Sequence, residues 1–297
     1  MTEAPKTPIT IIGGYLGSGK TTLVNHLLRN ADGNRLAILV NEFGDLQIDA
    51  DLIEAQDDDI ISLAGGCVCC SYGNDLIMAM MDMAKMDPRP DHIILEASGV
   101  ALPAAIASSL SLLNDFSVDG VVVLTDAETI RQRSTDKYMS DTILRQLESA
   151  DIILLNKIDL VSNQERKKTL SWLEEITGNS FIIETQGSKI HPTVLLRDFD
   201  RQLDAGSIPH PHQTDDFYSS FITADLPVDP AEFAESLVRD NLGLVRAKGF
   251  VKAHDGSMRT IQVVGKRVEI MPAPDAAKPG VVTISVGLKK DLATKRI

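Results

Sequence analysis

Residues Gly14-Tyr15-Leu16-Gly17-Ser18-Gly19-Lys20-Thr21 fit G-x-x-x-x-G-K-[ST] and stand directly between an apolar run, Ile9 to Gly13, and a helical pattern, Thr21 to Asn30. Strand, glycine-rich loop and helix in that order confine the first part of the chain to a phosphate-binding βαβ unit. The glycines let backbone N–H groups converge on phosphate oxygens, and the helix N-terminus adds its positive end. Gly14, Gly17, Ser18, Gly19 and Thr22 are therefore expected to contact nucleotide, Lys20 to reach the β and γ phosphates, and Thr21 to offer its hydroxyl to Mg²⁺.

The rest of the first half continues the same texture. Apolar runs at Leu36 to Asn41, His92 to Glu96, Gly120 to Thr125, Asp151 to Asn156 and Phe181 to Glu184 alternate with helical patterns. That alternation is the signature of a parallel sheet with helices on both faces. In the first helix Leu23 and Leu27, then Val24 and Leu28, recur at i,i+4. A second helix opens at Ser162, with Glu165 three residues on as a capping box, and runs to about Ile176 before Gly178 stops it.

After about Asp204 the segment AGSIPHPHQTDD is rich in Gly, Pro, Ser and Asp and reads as a linker. Beyond it come a strand at Tyr218 to Ala224 and a helix capped by Asp229 with Pro230 first. Two strands follow around the Asp255-Gly256 turn, and a last one at Val281 to Val286. The expected organisation is an α/β P-loop domain over residues 1–205, a linker over 206–215 and a smaller α+β domain over 216–297.

The apolar run ending at Asn156 leads into Asn156-Lys157-Ile158-Asp159, an N-K-x-D tetrapeptide at the carboxyl end of a strand, where open α/β sheets bind ligands. A carboxylate only accepts hydrogen bonds, so Asp159 can take the N1–H and exocyclic N–H₂ of guanine, whereas adenine presents an acceptor at N1. A buried acceptor facing an acceptor costs a few kcal/mol, which favours GTP over ATP. Asn156 and Lys157 are placed in the same nucleotide site. Read alone, Asp159 could equally cap a turn.

His92-Ile93-Ile94-Leu95-Glu96 is an apolar strand ending in a carboxylate, with Gly99 three residues on. In P-loop proteins an acid here organises the Mg²⁺ shell and the attacking water, and a following glycine N–H senses the γ-phosphate. Lys20, Thr21 and Glu96 are the expected catalytic set. Asn41-Glu42-Phe43-Gly44-Asp45 follows the second strand as a candidate switch segment. Asp45 and Asp49 there are either water-mediated Mg²⁺ contacts or solvated carboxylates.

All three cysteines fall in Gly65-Gly66-Cys67-Val68-Cys69-Cys70. Such crowding makes a poor disulfide framework and points to metal binding or to redox chemistry of vicinal thiols. Thiolates suit Zn²⁺ or Cu⁺, and zinc is usually tetrahedral, so Cys67, Cys69 and Cys70 leave one position for Glu42, His191 or a water.

Composition excludes several classes. A net charge of −13 opposes binding to nucleic acid, whose affinity rests on positive side chains. No run approaches the roughly 20 apolar residues of a membrane span. The opening MTEAPKTPIT lacks an apolar signal core, so a cytoplasmic protein is expected.

With these residues together the chain resembles the CobW-type family of metal-related P-loop GTPases. The resemblance rests on GGYLGSGKTT, NEFG followed by Ile48-Asp49, GCVCC, EASG and NKID, in the family's order. Arg246-Ala247-Lys248-Gly249-Phe250 is similar to a segment of the family's C-terminal domain. The resemblance implies slow, metal-linked GTP hydrolysis using Mg²⁺. It also implies a metallochaperone role, with zinc the commonest assignment and cobalt the cobalamin-pathway one. Lys20, Thr21, Glu96, Asn156, Asp159, Cys67, Cys69 and Cys70 inherit the matching family roles. The expected partners are GTP and GDP, the metal and a client metalloprotein, with a homodimer as a further assembly to consider. A nucleotide-stabilised metal or redox sensor is the rival reading. The linker lacks the long histidine tract of many members, which argues against high-capacity metal storage.

Overall fold

A computed structural model describes residues 6–31, 33–41, 60–65, 74–178, 180–196, 217–222, 224, 226–239, 243–273 and 277–286. The chain divides into two units, Met1–Leu196 and Arg197–Ile297.

In the first unit the apolar runs become seven strands: β1 (Thr7–Gly13), β2 (Leu36–Asn41), β3 (Ile60–Gly65), β4 (His92–Glu96), β5 (Phe116–Asp126), β6 (Ile152–Asn156) and β7 (Phe181–Glu184). They form one sheet in the order β3-β2-β4-β1-β5-β6-β7, and every pairing is parallel. All five residues of β4 and of β6 are buried, which is why their sequences are continuously apolar rather than alternating. The helices are α1 (Lys20–Arg29), α2 (Asn74–Ala84), α3 (Pro103–Leu110), α4 (Ile130–Arg133), α5 (Ser140–Ser149) and α6 (Asn163–Thr177).

Strands β1 and β5 start earlier than their apolar runs suggest. Thr7, Pro8 and Ile9 pair with Phe116, Ser117 and Val118, so tertiary pairing carries the ladder into residues with weak strand signal of their own. Ser162 caps α6 as expected, its hydroxyl accepting from the Glu165 N–H at 3.3 Å, while the Glu165 carboxylate accepts from Arg131 and Lys168. Gly178, at φ 62°, ends the helix.

Because β1 lies between β4 and β5, the loop after β1 stands beside the carboxyl ends of both neighbours. The carboxyl end of β6 is one strand further on. Four loops thus meet at one edge, held by a core that includes Ile9, Ile11, Leu95, Val121, Val123, Ile153 and Leu155.

The second unit holds β8 (Phe217–Ile222), α7 (Pro230–Arg239), β9 (Leu244–Lys252), β10 (Met258–Val264), β11 (Arg267–Pro272) and β12 (Gly280–Val286). Its five-stranded sheet runs β11-β10-β9-β12-β8, antiparallel throughout. Asp229 caps α7, its Oδ1 accepting from the N–H groups of Ala231 and Glu232. Phe233, Ala234 and Leu237 of α7 pack with Ala247, Val251, Ile261 and Val263. Strand β11, a partly exposed edge strand, was not singled out from the sequence, its apolar alternation being limited to Val268 and Ile270.

Candidate functional site

The loop from Gly14 to Gly19 leads into α1, whose first residue is Lys20. Its N-terminal backbone N–H groups lack intrahelical partners, and that end attracts anions. Gly19 is the helix cap at φ 107°. A Cβ there would stand 2.5 Å from Ser188 Oγ and 2.6 Å from Asn156 Nδ2, so only glycine fits both the backbone and the space. Lys20 is 8% exposed and its ammonium donates to the Gly14 carbonyl at 3.0 Å, which keeps the charge folded over the loop. Ser18 is buried, and its hydroxyl has no hydrogen-bond partner among the described residues. Thr22 is exposed at the helix start.

The Thr21 hydroxyl donates to Glu96 Oε1 at 3.1 Å, and Glu96 is 4% exposed at the end of β4. A hydroxyl and a buried carboxylate at a helix N-terminus form an all-oxygen donor set, which suits a hard cation such as Mg²⁺. Gly99 lies three residues on, in a turn closed by the Ala101 N–H donating to the Ser98 carbonyl at 3.0 Å. A Cβ on Gly99 would come within 2.8 Å of Leu16 Cδ2 and 2.9 Å of its backbone nitrogen, so this turn and the phosphate loop touch backbone to backbone.

On the other side, buried Asn156 ends β6. Its amide donates to the Ser18 carbonyl at 2.9 Å and to Ser188 Oγ at 2.8 Å. Its carbonyl oxygen accepts from the Ser188 N–H at 2.9 Å and from the Thr185 hydroxyl at 3.1 Å. Ser188 in turn donates to the Gly19 carbonyl at 3.0 Å. The phosphate loop and the loop after β7 are thereby tied to one side chain. Lys157 follows in the left-handed region at φ 61°, its ammonium 2.7 Å from Asp126 Oδ2 at the end of β5. Asp159 is exposed on the 3₁₀ turn Ile158–Leu160.

Four partners of this site were not singled out from the sequence: Thr185, Ser188, Asp126 and Gln146. Ser188 holds φ 55° although it is not glycine, and it is fully buried. The Gly187-Ser188 pair after β7 is a turn signal that could have marked the loop. Gln146 sits at a core-facing position of α5 beside Ile143 and Leu147, a polar residue where the helical pattern calls for an apolar one.

Cys67, Cys69, Cys70 and Glu42, together with Asp45 and Asp49, lie outside the described residues. His191 is within 2.8 Å of the Thr193 hydroxyl through Nδ1.

The family model for the CobW/HypB/UreG nucleotide-binding domain matches residues 8–184. The chain belongs to this family. A second model, the cobalamin synthesis protein CobW C-terminal domain, matches residues 217–296. A zinc chaperone CobW of a Sinorhizobium species is 32% identical over 307 residues, spanning 89% of this chain and 87% of the relative. The zinc-regulated GTPase metalloprotein activator 1 of Dictyostelium discoideum is 32% identical over 206 residues, covering 57% of this chain and 43% of that protein. Among solved structures, a Zn(II)-bound triple mutant of the YjiA GTPase is 21% identical. It covers 96% of this chain and 95% of its own at a TM-score of 0.50, a likeness of fold. In the CobW family member described here, no helix among the described residues is long and apolar enough to cross a membrane.

Proposed function

We propose that this chain is a GTP-hydrolysing metallochaperone that binds a thiophilic metal ion, zinc before cobalt, and passes it to a client metalloprotein. The observation that carries the nucleotide half is the Thr21–Glu96 hydrogen bond, which sets a hydroxyl and a buried carboxylate together at the start of α1. Membership of a nucleotide-binding family supports it, and so do the names of the relatives, a zinc chaperone and a zinc-regulated GTPase activator.

Backbone groups of Gly14, Gly17, Ser18, Gly19 and Thr22 cradle the phosphates, with Lys20 neutralising the β and γ oxygens. Thr21 and Glu96 would hold Mg²⁺, and Glu96 would orient the attacking water. The ion, when bound, would supply positive charge to offset that of the phosphates. Gly99 reads the γ-phosphate. Asn156 holds the loops, Lys157 lies in the same nucleotide site with its ammonium on Asp126, and Asp159 accepts from guanine.

Cys67, Cys69 and Cys70 supply soft thiolates for the cargo metal, with Glu42 as the fourth group. Residues 1–205 form the GTPase domain, 206–215 the linker and 216–297 a domain that recognises a client or modulates access. The protein works in the cytoplasm, as a monomer or a homodimer.

The cysteine run lies in the chain between the phosphate loop and the glutamate strand, so nucleotide state and metal affinity share segments. The test is a zinc titration of the reduced protein with GDP and with a non-hydrolysable GTP analogue. Zinc affinity is expected to differ between the two states by about 1 to 3 kcal/mol, a typical coupling energy. Replacing the three cysteines by serine should remove tight zinc binding and leave nucleotide binding in place. Identical zinc affinity in both nucleotide states would refute the coupled cycle.

A further inference from the structure

The chain carries an amide that holds the turn after Glu96 from behind. Gln146 is 2% exposed on α5, on the same face as Ile143 and Leu147. Its Nε2 donates to the Gly99 carbonyl at 3.1 Å and to the Ala101 carbonyl at 2.7 Å. Both partners are pure acceptors, so only the N–H₂ end of the amide can face them, and its two hydrogens match the two carbonyls. The orientation is set by the chemistry of the pocket rather than by a choice between oxygen and nitrogen.

A buried polar side chain in an apolar helix face costs free energy unless its hydrogen bonds are made, and here both donors are used. The same turn is closed internally by the Ala101 N–H on the Ser98 carbonyl and packs at Gly99 against the Leu16 backbone of the phosphate loop. Holding the Gly99 and Ala101 carbonyls on the α5 side fixes the planes of the two peptides that follow them. The turn is therefore shaped on one side by α5 and on the other by the phosphate loop.

We propose that Gln146 is a positioning residue for GTP recognition. By clamping the Gly99 and Ala101 carbonyls it presets the turn that distinguishes a γ-phosphate from its absence, and it links α5 to the nucleotide state. This inference rests on the reading of Gly99 as the γ-phosphate contact. A residue with only a packing role would weaken GTP and GDP binding alike. One that shapes the γ-phosphate contact weakens GTP binding alone and slows hydrolysis.

The experiment uses the full chain with Mg²⁺ and measures affinity for GDP and for a non-hydrolysable GTP analogue, together with GTP turnover. Gln146→Met keeps the length and volume of the side chain and removes both donors. Its affinity ratio for the GTP analogue over GDP should fall about tenfold, the scale of one or two lost hydrogen bonds, with GDP affinity unchanged and turnover reduced. Gln146→Asn, one carbon shorter with the amide retained, should fall in between, and it carries the test if the Met variant does not fold. An unchanged ratio, or equal loss for both nucleotides, overturns the proposal. Gly99→Ala separates the two levels of the argument, because an added methyl meets the Leu16 backbone. If it changes the ratio and Gln146→Met does not, only the role of Gln146 falls. If it leaves the ratio unchanged, the reading of Gly99 falls and the inference with it.

Discussion

Asn156 offers the sharpest test of how this site is built, because its role in the structure is to join loops. Its side chain takes part in four hydrogen bonds, to the Ser18 carbonyl, the Ser188 hydroxyl, the Ser188 N–H and the Thr185 hydroxyl, and it is 2% exposed. At about 0.5 to 1.5 kcal/mol net per bond, Asn156→Ala forfeits roughly 2 to 6 kcal/mol, with the lower half favoured where water enters the space left behind. We expect a loss of about 2 to 4 kcal/mol in urea unfolding. GTP and GDP affinity should both fall, by a similar factor, because the phosphate loop loses its tie at Ser18 while Ser188 loses its partner. Asn156→Asp keeps the two accepted bonds but faces a carboxylate to the Ser18 carbonyl, so it should be no milder near neutral pH. A folded Asn156→Ala protein of wild-type stability, or one that loses affinity for GTP only, would refute the argument that this side chain is a latch.

Lys20→Ala should lower GTP turnover by at least about a hundredfold in a single-turnover assay, since it removes charge stabilisation aimed at the transferring phosphoryl group. Asp159→Asn lies on an exposed turn, so it should leave unfolding within about 0.5 kcal/mol of wild type. It should also shift relative affinity from GTP toward XTP in competition binding, because the new amide can donate to the 2-oxo group. The Glu165 carboxyl is held below its ordinary value, first by the hydrogen bond from Lys168 and then by the charges of Lys168 and Arg131. A carboxylate depressed in the folded state contributes stability above its unfolded value near 4.5 and loses it as pH falls through the folded value. The melting temperatures of wild type and Glu165→Gln should therefore differ most at neutral pH and converge in acid, as thermal scans across that range would show.

The parts of this site that were legible in the sequence are those where one short stretch carries both the backbone geometry and the chemistry. Gly14 to Thr21 encodes its loop through glycine and its charge through Lys20 within eight residues. Asn156 to Asp159 and Glu96 to Gly99 each end an apolar run that the parallel sheet buries on both faces. The strand at His92 to Glu96 is bounded where its apolar run is, all five residues being buried, and the edge strand at Phe181 to Glu184 keeps the bounds of its run although only Ile183 is buried. Ser188, Asp126 and Gln146 were not legible for a common reason. Each acts across the fold, 32 positions from Asn156, 31 from Lys157 and 47 from Gly99. No local pattern marks a hydroxyl, a carboxylate or an amide as the partner of a loop that distant. Gln146 left a trace as a polar residue on an apolar helix face and Ser188 as part of a Gly-Ser turn signal, but neither trace names the partner.

That difference has a physical consequence for how such a site responds to mutation. Lys20, Glu96 and Asp159 in the local motifs are proposed to act on the nucleotide, so changing them should alter chemistry while the fold persists, whereas Asn156 is itself a joint between loops. The distant partners brace those motifs instead: Ser188 at the Gly19 carbonyl and the Asn156 amide, Asp126 at the Lys157 ammonium, and Gln146 at the Gly99 and Ala101 carbonyls. Changing them moves a loop by fractions of an ångström, and positioning errors of that size cost catalysis heavily. The phosphate loop is thus held by Asn156 and Ser188, while Gln146 holds the separate Gly99 turn beside it. Nucleotide binding should therefore respond to the joints behind the site, with loss of the Asn156–Ser188 joint weakening GTP and GDP together and loss of the Gln146 clamp weakening GTP alone.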